Sequence, residues 1–122
     1  MKSHRILIVE DDPDIRNALV EILGEEGYQI DWAENGREGL DYLAAAPELP
    51  ELIMLDLMMP VLDGFGFREG QRAHPQWADI PVIVMSADGN VAAKLERIGG
   101  ICYLRKPLEL MELLERVAAV FK

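Results

Sequence analysis

The sequence contains a single cysteine, Cys102, and so cannot form an internal disulfide bond. Scarce cysteine is typical of proteins that work in a reducing compartment. The chain also lacks any apolar run near the ~20 residues that a membrane-spanning helix needs. The short polar stretch before Ile6 does not have the pattern of a signal peptide. We therefore expect a soluble, cytoplasmic protein without a membrane partner.

Basic residues are scarce as well. Twelve lysines and arginines stand against 22 aspartates and glutamates, which gives a net charge of −10. A surface of this charge repels polyanions, so we expect no nucleic-acid partner. The excess of acid is compatible with a pocket that binds a cation. At 122 residues, half of them hydrophobic, the chain has the size of one domain, residues 1–122.

Five short apolar segments recur along the chain and predict five strands. They are Ile6–Val9, Tyr28–Ala33, Leu52–Leu55, Pro81–Met85 and Ile101–Leu104. The first, third and fourth are nearly continuous runs of Ile, Leu, Val and Met, which is typical of parallel strands covered on both faces. The second alternates apolar and polar residues, as an edge strand does.

Stretches with helical periodicity lie between the predicted strands. The clearest begins after Asp12, a predicted N-cap, with Pro13 at the first helical position. Helices are also predicted over Gly36–Ala46, Val91–Ile98 and the C-terminal stretch 110–121. Gly64–His74 contains three glycines, each costing about 1 kcal/mol relative to alanine, so we expect a short or irregular helix there. The alternation predicts an α/β fold, a doubly wound five-stranded parallel sheet.

Polar residues follow four of the predicted strands. Glu10 and Asp11 follow the first, Asp56 the third, Ser86 the fourth, and Lys106 comes shortly after the fifth. Ligands of open parallel sheets bind beyond the carboxyl ends of the strands, so these side chains should converge. Each residue alone is most often a cap, a turn residue or a surface charge. Three carboxylates held close together, however, repel one another unless a cation joins them, and Mg²⁺ prefers such oxygen ligands.

Five sequence blocks resemble the signature blocks of response-regulator receiver domains. They are Ile6–Asp12 (ILIVEDD), Leu55–Pro60 (LDLMMP), Asp63-Gly64, Met85–Ala87 (MSA) and Tyr103–Pro107 (YLRKP). The resemblance spans the chain from about Arg5 to Phe121. It implies the chemotaxis-regulator-like, flavodoxin-like (βα)5 fold with strand order 2-1-3-4-5.

The resemblance also implies roles for matched residues. Asp56 would accept a phosphoryl group, which Ser86 and Lys106 would contact. The phosphoryl donor would be a phosphohistidine on a sensor histidine kinase or a histidine phosphotransfer protein. A carboxylate is a competent nucleophile toward phosphorus, and a cation, a lysine and a hydroxyl can stabilise the transferring group. Such a domain catalyses only its own phosphorylation and dephosphorylation and is not an enzyme for an external substrate.

A metal site and a switch are implied in the same way. Asp11 and Asp56 would bind Mg²⁺ or Mn²⁺ directly, Glu10 mainly through water, and Met58 through its backbone carbonyl. Ser86 and Tyr103 would form the switch, with Tyr103 turning inward. A downstream partner, or a second copy, would then bind the face formed by the fourth helix, the fifth strand and the last helix. The alternative reading of Tyr103 is a half-buried strand tyrosine.

Two departures from the common receiver pattern stand out. The stretch from Ser86 to Lys106 is about two residues shorter than usual. Arg68 and Gln71 occupy positions where the third helix usually carries apolar residues. Cys102 is interpreted as a small strand residue.

Other functions fit less well. A pseudo-receiver that binds partners without phosphorylation remains the alternative, although the intact Asp11, Asp56, Ser86 and Lys106 set argues against it. A phosphatase of the haloacid dehalogenase type has a second acid two residues after its nucleophile, where this chain has Met58. A flavodoxin-like cofactor protein needs a hydroxyl-rich phosphate loop after the first strand, where this chain is acidic.

Overall fold

The computed structural model describes residues 3–87, 91–100 and 102–122. Strands and helices alternate through these residues. The strands are β1 (Arg5–Val9), β2 (Gln29–Ala33), β3 (Leu52–Asp56), β4 (Val82–Ser86) and β5 (Cys102–Arg105). The helices are α1 (Pro13–Glu25), α2 (Gly36–Ala45), α3 (Gly64–Arg72), α4 (Val91–Ile98) and α5 (Leu110–Val120). Each predicted strand is present within a residue or two of its predicted bounds; Ile101, the predicted start of the last, lies outside the described residues.

All neighbouring strands in the sheet are parallel, in the order β2-β1-β3-β4-β5. The predicted doubly wound fold and strand order are therefore confirmed. As expected for an edge strand, β2 is mostly exposed, whereas every residue of β3 and β4 is buried. The three continuous apolar runs predicted as covered strands are thus the three inner strands of the sheet.

Two apolar layers cover the sheet, because successive strand residues point to opposite faces. Leu7, Val9, Ile53 and Leu55 pack on one face with residues of α2, α3 and α4. On the other face, Ile6, Ile8, Leu52 and Met54 pack with residues of α1 and α5. This arrangement leaves the strand ends as the surface on which polar side chains from several strands can meet.

The helices begin where side-chain oxygens accept the first backbone N–H groups. Asp12 caps α1 by accepting from the N–H groups of Asp14 and Ile15 at 2.9 and 3.3 Å, with Pro13 as the first residue. This confirms the predicted N-cap. Asn35, Asp63 and Glu109 cap α2, α3 and α5 in the same way. In the described part of the chain, no helix has both the length and the apolar character needed to cross a bilayer.

The third helix is short, which is one of the two predicted alternatives. It ends at Arg72 rather than His74 and is a regular α-helix of nine residues. Gly64 allows close packing at the helix start. A Cβ atom at Gly64 would lie 2.6 Å from the backbone oxygen of Asp56. The glycine therefore brings the start of α3 against the end of β3.

The loop between β3 and α3 contains a strained residue, Val61. Its φ is +70°, in the left-handed region that is unfavourable for a β-branched side chain. The N–H of Leu62 donates to the carbonyl of Pro60 at 2.8 Å, which closes a tight turn around Val61. Its side chain is 80% exposed, so burial does not offset this strain.

We predict that Val61→Asn stabilises the domain by about 1 kcal/mol, because asparagine adopts the left-handed conformation more readily than valine. Urea denaturation measures the change in the free energy of unfolding. Val61→Ala is the control, since it shortens the side chain without a group that favours this conformation, and it should gain less. Equal or lower stability of Val61→Asn relative to wild type would show that the turn is not strained.

Candidate functional site

The carboxyl edge of the sheet brings the predicted site residues together. Glu10 directly follows β1, and its N–H donates to the carbonyl of Ala33 at 3.1 Å. Asp56 and Ser86 are the last residues of β3 and β4. Lys106 follows β5, and its N–H donates to the carbonyl of Ser86 at 2.9 Å. Parallel pairing thus aligns these strand ends at one edge.

Three carboxylates form a cluster at this edge. One oxygen from each of Glu10, Asp11 and Asp56 lies within 4.8 Å of the others. Glu10 and Asp56 are buried, and Asp11 is partly exposed. Lys106 Nζ lies 2.7 Å from Glu10 Oε1 and 3.2 Å from Asp56 Oδ1. One lysine therefore pairs with two of the three acids, and the cluster has an excess of negative charge.

The electrostatics of the cluster shift two pKa values. Burial, and then the charge of Glu10, raises the pKa of Asp56 to about 7 against the opposing effect of Lys106. Burial alone would lower the pKa of Lys106, but its hydrogen bond to Glu10 and the charges of Asp56 and Glu10 outweigh burial and raise it. Lys106 is therefore a cation at neutral pH, while Asp56 needs further positive charge to be fully ionised.

Ser86 links the cluster to Tyr103. Ser86 is buried, and its backbone carbonyl accepts both the N–H of Lys106 and the hydroxyl of Tyr103, the latter at 3.0 Å. Tyr103 is half-buried and lies inward, with its hydroxyl at the end of β4. The two residues expected to form the switch are therefore in direct contact. Met58 lies two residues beyond β3 and is 65% exposed.

Arg16 is a part of the site that the sequence prediction missed. It is buried on α1, donates to the backbone oxygen of Glu10 at 3.3 Å, and its guanidinium lies 4.0 Å from the ring centre of Trp32. The signal was present in the sequence, because Arg16 is three and seven residues before Leu19 and Leu23 on the buried face of α1. A basic residue in such a position holds the segment after β1 in place.

The chain matches the response regulator receiver domain over residues 6–118. It belongs to this family. Receiver domains are parts of the response regulators of two-component systems and work with histidine kinases. The family assignment made from the five sequence blocks is therefore confirmed.

Similar proteins include transcriptional regulators. The chain is 40% identical over 121 residues to the DNA-binding dual master transcriptional regulator RpaA of Synechocystis sp., covering 97% of this chain and 49% of the relative. It is 37% identical over 123 residues to the response regulator MprA of Mycolicibacterium vanbaalenii, covering 97% of this chain and 50% of the relative. The chain thus spans about half the length of these relatives.

Solved structures of the same fold extend over nearly the whole chain. A putative response regulator from Chloroflexus aurantiacus has a TM-score of 0.89 and 32% identity, with 98% of both chains covered. The response regulator TrrA of Thermotoga maritima, solved in complex with Mg²⁺-BeF, has a TM-score of 0.83 and 34% identity, covering 96% of this chain and 98% of TrrA. Mg²⁺ is therefore bound by a structural neighbour of this chain.

The raised pKa of Asp56 predicts a pH dependence of stability in the absence of divalent cations. Unfolded Asp56 has its ordinary pKa near 4, whereas the folded value is about 7. At a pH between these two pKa values, Asp56 is largely protonated in the folded state and ionised in the unfolded state. The free energy of unfolding therefore falls as pH rises, by at most about 1.4 kcal/mol per pH unit for this group. Urea denaturation in a chelating buffer, from about pH 5 to pH 8, measures the slope.

Two variants isolate the contribution of Asp56 to this slope. Asp56→Asn has no titrating group at that position, so its stability should fall less steeply with pH than that of wild type. Asp63→Asn removes an acid outside the cluster and keeps an N-cap side chain, so it should retain the wild-type slope. The same slope in wild type and Asp56→Asn would contradict the raised pKa.

Proposed function

We propose that this receiver domain accepts a phosphoryl group on Asp56 in a reaction that requires Mg²⁺. The observation that carries the proposal is the cluster of Glu10, Asp11 and Asp56 around one protonated lysine, Lys106. Asp56 is buried at the end of β3 and is paired with Lys106. We therefore assign it as the nucleophile, because the charges that would stabilise a transferring phosphoryl group lie beside it. The family supports the same assignment.

The residues present fit a divalent cation. Three carboxylates within 4.8 Å of one another and a single lysine leave the cluster negative, and oxygen ligands of this kind suit Mg²⁺. Asp11 and Asp56 would hold the ion directly, Glu10 mainly through water, and Met58 through its carbonyl. When bound, the ion neutralises charge on Asp56 and on the transferring group. Mn²⁺ has the same preference for oxygen ligands and would serve in its place.

The chain's own residues would then carry the transfer. A carboxylate oxygen of Asp56 forms a bond to phosphorus while the bond from phosphorus to the donor imidazole nitrogen breaks, and the imidazole keeps the electron pair. Lys106 moves its ammonium group from Asp56 toward a phosphoryl oxygen. The Ser86 hydroxyl donates to another. Hydrolysis of the aspartyl phosphate returns the domain to its starting state, so no external substrate is turned over.

The partners follow from this chemistry. The donor is a phosphohistidine on a sensor kinase or a phosphotransfer protein in the cytoplasm. The output is a partner, or a second copy, that binds the face of α4, β5 and α5, to which Ser86 and Tyr103 are connected. With a net charge of −10, the domain itself is not expected to bind nucleic acid. The DNA-binding relative is about twice as long as this chain.

The alternative is a pseudo-receiver that binds partners without phosphorylation, and intact-mass measurement separates the two. We predict that incubation with Mg²⁺ and acetyl phosphate adds the mass of one phosphoryl group to wild type, and that Asp56→Asn shows no adduct. Asp63→Asn, an acid outside the cluster, is the control and should still be labelled. If wild type stays unmodified under these conditions, the phosphorylation proposal fails and the pseudo-receiver is favoured.

A second prediction concerns the cation. Mg²⁺ should raise the free energy of unfolding, by about 2.7 kcal/mol at a concentration one hundred times its dissociation constant. Asp11→Ala should abolish this rise and, by removing one repelling charge, keep or increase stability without Mg²⁺. Denaturation with and without Mg²⁺ measures both effects.

The control for that experiment is Asp14→Asn, which alters a neighbouring exposed acid in the first turn of α1. It should respond to Mg²⁺ as wild type does. Protection of Asp11→Ala by Mg²⁺ as large as that of wild type would mean that the ion binds elsewhere.

A further inference from the structure

A polar pair is buried on α3, on the side opposite to solvent. Gln71 is fully buried and Arg68 is 9% exposed, and both lie on the same helical face as the core residue Phe67. Arginine is rarely buried without a paired acid. Among the described residues, however, no carboxylate forms an ion pair with Arg68. The charge must therefore be balanced in another way.

All three guanidinium nitrogens of Arg68 donate hydrogen bonds to nearby oxygen atoms. Nε donates to the carbonyl of Ile98 at 2.9 Å, and Nη2 donates to the carbonyl of Gly99 at 3.1 Å. Nη1 donates to Gln71 Oε1 at 2.8 Å. Two of the three acceptors thus belong to the end of α4, which is thirty residues away along the chain.

The end of α4 provides the negative charge that a carboxylate usually provides to a buried arginine. The last carbonyls of a helix have no partner within the helix and carry a partial negative charge. Gly99 has a φ of +71°, the left-handed conformation that commonly ends a helix. Arg68 therefore caps α4 from a neighbouring helix, and its cation is balanced by the dipole of that helix.

Gln71 helps to fix the orientation of the Arg68 side chain. Its Nε2 donates to the carbonyls of Trp77 and Ile80 at 2.9 and 3.1 Å, so its amide orientation is fixed by the segment between α3 and β4. Its remaining oxygen faces Arg68. A continuous chain of hydrogen bonds thus runs from this segment through Gln71 and Arg68 to the end of α4.

We propose that Arg68 is a positioning residue that fixes the C-terminal end of α4 on α3, so that conformational change on phosphorylation is confined to the part of α4 nearer Ser86. Movement of the last turn of α4 would leave the guanidinium buried without its acceptors, which is strongly unfavourable. Arg68, one of the two unusual polar residues on α3, thus supplies a cap to the end of α4, which lies within the short segment from Ser86 to Lys106. The part that concerns phosphorylation rests on the proposed function.

The anchor is tested first without any phosphoryl group. Amide hydrogen exchange at Glu96, Arg97 and Ile98 should become about tenfold to a hundredfold faster in Arg68→Leu, the range expected when hydrogen bonds from a charged donor are lost. Arg72→Leu is the matched control, because it removes the same charge one turn later. The Arg72 guanidinium also lies next to Gly99, but its hydrogen bond to the carbonyl of Arg97 is long, at 3.5 Å. Arg72→Leu should change these rates by less than about threefold. Equal rates in wild type and Arg68→Leu would overturn the anchor.

Confinement is tested with Mg²⁺ and beryllofluoride, a phosphoryl mimic. In wild type, amide NMR shift changes should decline along α4 and be small at Ile98 and Gly99. In Arg68→Leu they should extend through Gly99 and into α3. Wild-type shift changes as large at Gly99 as at the start of α4 would overturn the confinement. A wild type that binds no beryllofluoride would instead overturn the proposed function, while the exchange result would still decide the anchor.

Two further measurements keep the test decisive if Arg68→Leu fails to fold. In wild type, the Nε–H proton of Arg68 should exchange more slowly than that of Arg72, because it donates to a buried carbonyl. Arg68→Lys keeps the charge, but one ammonium group cannot replace the planar fork that joins two carbonyls and an amide. Amide exchange at Ile98 should therefore be faster in Arg68→Lys than in wild type and in Arg72→Leu. A fast-exchanging Nε–H in wild type would contradict the anchor directly.

Discussion

The structure of this domain depends on two buried carboxylates that share one lysine. Glu10 and Asp56 are removed from water at the end of the sheet, and Lys106 lies 2.7 and 3.2 Å from their oxygens. One cation cannot balance them together with Asp11, so the cluster has a net affinity for positive charge. The same imbalance that makes the site costly to fold supports the proposed binding of a cation and acceptance of a phosphoryl group.

The surrounding fold fixes the positions of the residues that form this negatively charged cluster. Asp56 and Ser86 are terminal strand residues whose positions are fixed by pairing along β3 and β4. Arg16 donates to the backbone of Glu10 from α1, and Gly64 lets α3 approach the backbone of Asp56 without a Cβ atom in between. Each of these contacts acts on the backbone or on a helix start, so the backbone of the acidic residues is held in place at this edge of the sheet.

The sequence was sufficient to predict the sheet and the members of the cluster, because both depend on local patterns. Three continuous apolar runs indicated inner strands, and the residue after each run indicated the site. Arg16 and the pairing of Arg68 with Ile98 and Gly99 were not predicted, since they depend on which helix faces which. The sequence shows that Arg68 is unusual for its position. Two of its acceptors are backbone carbonyls, however, and every residue has a carbonyl, so the sequence does not indicate which ones accept. The close packing at Gly64 was also not predicted, because helix propensity says nothing about the packing around a glycine.

Lys106 and Arg68 differ in a way that matches their positions. Lys106 is a compact charge on a flexible chain, and its acceptors are two carboxylates. Under the proposed function it would exchange one of them for a phosphoryl oxygen and keep a negatively charged partner. Arg68 is a planar group whose donors are divided among Ile98, Gly99 and Gln71, and no single new acceptor can replace all three. Under the proposed function, the lysine at the end of the Ser86–Lys106 segment moves during phosphoryl transfer. The arginine that contacts the end of α4, within the same segment, would resist movement there.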